Sequence, residues 1–274
     1  MFDMSSNHEF PEETPAQVAL TLQALEELTP EIQAAQKSPL PAMPTLKQVL
    51  DEVTPLPRQA LFLGVASDGL PVLLSLADAS PGPLLVIGDQ GCGKTAFLQA
   101  VARAAAFIHD PKDVQFGAIT NYPDEWEGFG ELPNCVGIFP ACQGAAVDFL
   151  LNLVNWAHGN RGGRQSTLLL VDELESITQA DFDPRQNLRW LLLRGPTRRV
   201  WPLVTLNPKR YQAVQPWPEA FRTRVFGHVA QAKIADELTA APGANLANLL
   251  AGAQFTLREG SGWLRFWIPR LDEN

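Results

Sequence analysis

An α/β fold, a mostly parallel, doubly wound sheet flanked by helices, is what this sequence predicts, on three observations. An apolar strand, Leu84-Leu85-Val86-Ile87, runs into Gly88-Asp89-Gln90-Gly91-Cys92-Gly93-Lys94-Thr95, and Ala96-Phe97-Leu98 then opens an amphipathic helix to Ile108. Strand-like runs alternate with helical patterns from there on, the arrangement that builds parallel sheets. A later run, Thr167-Leu168-Leu169-Leu170-Val171, is almost wholly apolar, as strands buried on both faces are, and it ends on Asp172-Glu173.

Taken in order, the first dozen residues read as disordered. Thr14 or Pro15 to about Lys37 reads as a helix, with Val18, Leu22, Leu25 and Leu28 on one face, Thr14 as a cap and Pro30 as an interruption. Ser38–Pro57 contains Pro39, Pro41, Pro44, Pro55 and Pro57. It reads as a stiff linker with one turn of helix at Leu46–Leu50. Residues 1–57 are therefore expected to form an arm outside a main domain of residues 58–274. Ala60–Val65 and Leu70–Leu76 flank Ser67-Asp68-Gly69 as a hairpin. Strands follow at Leu84–Ile87, Val114–Ile119, Val136–Phe139, Thr167–Val171, Leu203–Leu206, Arg224–Val229, Gln254–Arg258 and Trp263–Ile268. Pro123–Leu132 is an acidic loop or short helix. Gly144–His158 reads as a helix, with Val147, Leu150, Leu151 and Val154 at helical spacing, and Asn187–Arg194 as another, ended by Gly195-Pro196.

The 274 residues are 46% hydrophobic, with seven Trp and fourteen Phe, enough for a full core. No apolar run approaches the roughly 20 residues that cross a bilayer, and the acidic, polar start is no secretory signal. Cys92, Cys135 and Cys142, an odd and sparse set without a repeated Cys-x-x-Cys, predict a reducing cytoplasm. Cys92 fills a variable position of the glycine loop. The net charge of −9 is uneven: nine of the 30 acids but only two of the 21 bases fall in residues 1–57. Arg185–Arg224 carries Arg185, Arg189, Arg194, Arg198, Arg199, Lys209, Arg210, Arg222 and Arg224 against one acid, Glu219. That stripe suits nucleic acid, the nucleotide of a neighbouring subunit, or plain solvent.

The chemistry starts from the loop. Gly88 and Gly93 admit backbone conformations that a Cβ hinders. The amides of Gly88–Ala96 can then converge on phosphates at the positive end of the helix. Lys94 reaches the β- and γ-phosphates, and the Thr95 hydroxyl ligates Mg²⁺. Asp172 and Glu173 fall at the carboxyl edge of a buried strand, where open α/β sheets bind ligands. Asp172 suits the metal, and Glu173 suits a general base for the attacking water; a helix cap is the plainer role for Glu173, Glu175 and Ser176. Pro202-Leu203-Val204-Thr205-Leu206-Asn207-Pro208 ends in an amide that can bridge γ-phosphate and water, or simply form an Asn-Pro turn. Water attack also needs a cation on the developing charge, often from the next subunit. Arg198, Arg199 and Arg224 are the candidates, with Arg194 behind them. His109, His158 and His228 have no metal-ligand spacing, and no Ser-His-Asp arrangement emerges.

These motifs resemble, over about residues 58–270, the ATPase domain of the FtsK/HerA DNA translocases. The resemblance rests on Leu63-Gly64, Asp68-Gly69 and Pro71-Val72, then the strand and phosphate loop, then Asp110-Pro111, Asp113-Val114 and Leu132-Pro133. It continues with a helix ending near Trp156, with Leu169–Glu173, and with Phe221-Arg222-Thr223-Arg224-Val225-Phe226-Gly227. Ala241-Pro242-Gly243 with Leu249, Leu250, Gly252 and Phe255 completes it. Asn207 stands where the family usually has Gln, and Thr120-Asn121 where an aspartate is common. The resemblance implies a RecA-like core, ATP and Mg²⁺ as ligands, a hexameric ring, and ATP-driven movement of double-stranded DNA. The expectation is a cytoplasmic ATPase acting on DNA as a homo-oligomeric ring, with no membrane contact. Its rivals are a nucleotide-gated switch that recruits a protein through residues 1–57, and an ATPase of a secretion system.

Overall fold

The computed structural model describes residues 43–272, apart from Cys142 and Pro242. The expected helix from Thr14 to Lys37 lies outside the described residues. The chain divides into two units at Met43/Pro44, and the second carries a sheet with helices on both faces.

The sheet has ten strands. They are β1 (Ala60–Ala66), β2 (Pro71–Ser75), β3 (Leu84–Ile87), β4 (Val114–Thr120), β5 (Cys135–Pro140), β6 (Ser166–Val171), β7 (Val200–Leu206), β8 (Thr223–Phe226), β9 (Gln254–Glu259) and β10 (Gly262–Trp267). Their order is β2-β1-β10-β9-β8-β3-β7-β6-β4-β5. From β8 to β5 every pairing is parallel. From β8 outward through β9, β10, β1 and β2 every pairing is antiparallel. The sheet is thus a parallel half joined to an antiparallel wing. The expected mixed α/β architecture with hairpin additions is what is found.

The helices are α1 (Leu46–Val53), α2 (Lys94–Ile108), α3 (Gly144–Gly159), α4 (Glu175–Thr178), α5 (Phe182–Arg194) and α6 (Ala232–Thr239). Successive side chains of a strand face opposite ways, and the cores divide accordingly. Leu84, Val86, Leu168 and Leu170 pack with Phe97, Leu98 and Val101 of α2 on one face. Leu85, Ile87, Leu169 and Val171 pack with Leu150 of α3, Leu191 of α5 and Leu238 of α6 on the other. Burial on both faces is why these strands read as continuous apolar runs.

Three elements differ from expectation. Residues 44–57 are not a linker followed by the domain: α1 is two turns long and packs on it. Thr45 and Gln48 form a reciprocal capping box, the Thr45 N–H donating to Gln48 Oε1 at 2.9 Å. Leu46, Val49 and Leu50, spaced i, i+3, i+4, are buried with Phe62, Val65 and Ala104. Helix α5 begins at Phe182 rather than Asn187, because Pro184 sits in its first turn, where no intrahelical N–H is needed. Helix α6, unforeseen, buries Ala235 and Leu238. No helix among the described residues is long and apolar enough to cross a membrane.

Candidate nucleotide site

Strand β3 delivers its chain into the glycine loop at the carboxyl edge of the sheet. The Asp89 N–H donates to His228 O at 2.9 Å, and Asp89 Oδ2 accepts from the Ala230 N–H at 2.8 Å. Asp89 therefore ties the loop to the chain beyond β8 and leaves the cleft to its neighbours. Gly93, at φ 92°, turns the loop into α2, and a Cβ there would stand 2.9 Å from the Gly252 backbone. The Gly252 N–H in turn donates to Cys92 O at 3.1 Å. The Cys92 side chain is buried, and a Cβ on Gly88 or Gly227 would collide with its sulfur. Burial pushes the thiol above its ordinary range. Cys92 is thus packing in this loop and an unreactive thiol. The Lys94 ammonium donates to Gly88 O at 2.8 Å and Asp89 O at 2.9 Å, which holds it over the loop.

The opposite wall is built by strand register. Val171 of β6 lies opposite Val204 of β7 and Ile119 of β4, so Asp172 and Glu173 emerge between Thr205 and Asn121. Thr205 Oγ1 donates to Asp172 Oδ1 at 2.9 Å and accepts from the Glu173 N–H at 2.7 Å. Thr95 Oγ1 donates to Asp172 Oδ2 at 2.8 Å. Glu173 holds φ 75°, unusual for a residue with a side chain, and Asn121 Nδ2 donates to Glu173 Oε2 at 3.0 Å. Between the walls lies a cleft of about 1450 Å³ that also admits Asn207, Lys209 and Arg210. Asn207 Oδ1 accepts from the Lys209 N–H at 3.0 Å, so the amide caps the Pro208–Arg210 turn as the Asn-Pro pair suggested.

Burial raises the Asp172 carboxyl above the usual carboxylate range, the Glu173 charge adds to this, and hydrogen bonds from Thr95 and Thr205 oppose it. Burial likewise raises Glu175, whose Oε2 has no hydrogen-bond partner among the described residues. No cluster of three or more His, Cys, Asp or Glu side chains that could hold a metal occurs among the described residues. A Thr hydroxyl and one carboxylate in contact nonetheless fit Mg²⁺, which takes one or two protein ligands and completes its shell with water and phosphate oxygens.

Of the predicted residues, Gln90, Gly91, Gly93, Lys94, Thr95, Ala96, Asp172, Glu173 and Asn207 line one cleft. Arg198, Arg199 and Arg224 do not. Arg199 Nη1 donates to Gln59 Oε1 at 3.0 Å and Leu76 O at 2.8 Å, at the end of β7 remote from the cleft. Arg224 Nη2 donates to Pro218 O at 3.1 Å. Sequence reasoning missed Asn121, Thr205, Glu175, Lys209 and Arg210 as site residues. Thr205 carried a signal, as a hydroxyl inside an apolar strand whose buried oxygen needs partners.

No family model matches the chain, and no curated protein matches it significantly. Solved structures do match. The cytoplasmic domain of the type VII secretion ATPase EccC of Thermomonospora curvata superposes with a TM-score of 0.65 at 15% identity, over 85% of this chain and 28% of that one. ATPases 2 and 3 of EssC from Geobacillus thermodenitrificans give 0.67 at 11% identity, over 86% and 48%. The pCW3 conjugation coupling protein TcpA gives 0.58 at 14%, over 86% and 71%. The chain thus spans about half or less of the EccC and EssC chains it matches. At these identities the likeness is one of fold, and the fold is the mixed α/β one of these ATPase domains.

Proposed function

We propose that this protein binds and hydrolyses ATP as a motor-type ATPase acting on double-stranded DNA, as a ring of identical subunits. The observation that carries the reading is the 2.8 Å contact of Thr95 with Asp172, which joins the glycine loop to a carboxylate pair across the cleft. Lys94 and the loop amides bind the triphosphate. Thr95 and Asp172 hold Mg²⁺, which when bound neutralises charge on the phosphate oxygens. Glu173 takes the proton of the attacking water, and Asn207 aligns that water with the γ-phosphate. Arg198, Arg199 and Arg224, outside the cleft, reach a nucleotide only from a neighbouring subunit; Arg210 and Lys209 supply positive charge within the same chain. The setting is cytoplasmic, and the part of residues 1–57 that precedes α1 recruits a protein partner.

Long double-stranded DNA is expected to raise ATP turnover severalfold, and Glu173→Gln to lower it by about 10²–10⁴-fold while ATP still binds. A second reading has its own support: two of the matching structures are of one secretion ATPase, EccC, and one of these holds a signal sequence peptide. Turnover that ignores DNA and responds to a peptide segment would favour it. Turnover that survives Glu173→Gln would overturn the role given to that carboxylate.

A further inference from the structure

One hydroxyl serves both carboxylates of the cleft. In β7, Leu203 packs on the α2 face of the sheet, and Val204 and Leu206 pack on the other. Alternation therefore turns the Thr205 side chain toward α2, whose first turn carries Thr95. Every residue of β7 is buried, and a buried hydroxyl needs partners. Thr205 Oγ1 has two: it donates to Asp172 Oδ1 at 2.9 Å and accepts from the Glu173 N–H at 2.7 Å.

Both contacts fall where the strand ladder ends. Strands β6 and β7 pair as far as Val171 opposite Val204, and two residues on Glu173 turns to φ 75°. The Asp172 N–H donates to Ile119 O at 2.8 Å and the Leu174 N–H to Thr205 O at 2.8 Å. The Glu173 N–H between them is taken by the Thr205 side chain, which stands in for a backbone acceptor at the middle of the turn. Thr95 Oγ1 donates to Asp172 Oδ2 at 2.8 Å from across the cleft. With Oδ1 held by Thr205, both oxygens of this buried carboxylate are fixed and its plane is set. Removing the Thr205 donor leaves a buried oxygen unpaired and the plane free to turn.

We propose that Thr205 is a positioning residue whose single hydroxyl orients the Asp172 carboxylate and pins the backbone from which Glu173 is aimed. This rests on the roles given above to Asp172 and Glu173. Loss of the hydroxyl leaves Lys94 and the loop amides in place, so metal-free nucleotide binds as before. Use of Mg²⁺ and turnover suffer together.

The test uses the full chain. Thr205→Val keeps the shape and drops the hydroxyl; Thr205→Ser keeps the hydroxyl and drops the methyl. Thr205→Val is expected to lower kcat about 10- to 100-fold and to raise the half-saturating Mg²⁺ concentration by a similar factor. Its affinity for a non-hydrolysable ATP analogue without metal should stay within about twofold of wild type. Thr205→Ser should stay within about threefold of wild type in all three. Unchanged turnover per folded Thr205→Val molecule, or a Ser variant as slow as the Val one, overturns the proposal. A loss of metal-free analogue affinity marks a structural role and overturns it equally. If Thr205→Val melts too low to assay, Thr205→Ala set against Thr205→Ser makes the same contrast with the methyl absent from both. A further readout needs no nucleotide: deuterium exchange of the Glu173 amide in the free protein, followed by NMR. Exchange at least about tenfold faster in Thr205→Val than in wild type and Thr205→Ser is expected, and equal rates overturn the pinning. If wild type binds the analogue but never hydrolyses ATP, the hydrolase reading falls, and the exchange rates alone decide the role of Thr205.

Discussion

The two parts of the sheet do different work. In the parallel half, every strand from β8 to β5 points its carboxyl end at one edge, so residues far apart in sequence, Lys94, Asn121, Asp172 and Asn207, collect there. In the antiparallel wing the ends alternate, no such edge can form, and the residues are spent on packing. Phe255 and Phe266 pack tilted against Phe97 of α2 with ring centroids 5.2 and 6.3 Å away, and α1 closes on Phe62 and Val65. The wing braces the helix that starts at the loop; the parallel half carries the charges. The regions meet where Gly252 lies against Gly93.

Breaking the wing should cost stability and leave chemistry intact. Leu50→Ala empties a fully buried site. It is expected to lower unfolding free energy by about 2–5 kcal/mol, read by denaturant titration, with turnover per folded molecule unchanged. A loss below about 1 kcal/mol would return α1 to the linker that the sequence suggested. Breaking the junction should damage both properties. Gly93→Ala carries a backbone cost of about 1–3 kcal/mol at φ 92°, besides its collision with Gly252. A drop in melting temperature together with an ATP affinity at least about tenfold weaker is the expected pair; a change in one alone would uncouple wing from loop.

The smallest effect sharpens the contrast, because charge at the parallel edge opposes folding. Burial raises the Glu175 carboxyl above its unfolded value. The native state therefore favours the protonated form. Its penalty is absent below the unfolded pKa, about 4.3, and grows as pH rises through the raised folded value. Glu175→Gln should melt about 1–3 °C higher than wild type at neutral pH, and the difference should vanish near pH 4. An equal difference at both pH values would assign it to packing.

What was legible in the sequence was whatever depends on neighbours along the chain. The strand and glycine loop, the apolar run ending in Asp172-Glu173, and the hairpin around Asp68-Gly69 all declare themselves locally. What escaped depends on register. Thr205 and Asp172 are 33 residues apart, and Asn121 and Glu173 are 52; only the β6–β7 and β4–β6 alignments make them partners. The prolines around α1 concealed a capped helix, since Pro44 and Pro55 lie outside it and disturb none of its hydrogen bonds. Counting charge also could not reveal that the Arg199 guanidinium donates to Gln59 and Leu76 within its own chain.

Glu173 at φ 75° has one more consequence. Glycine would occupy that backbone with ease, so a search through variants that rewards durability alone drifts toward erasing the carboxylate. On the role proposed for Glu173, selection on turnover is what would keep the glutamate against that slope. Robustness and activity therefore pull this one position in opposite directions.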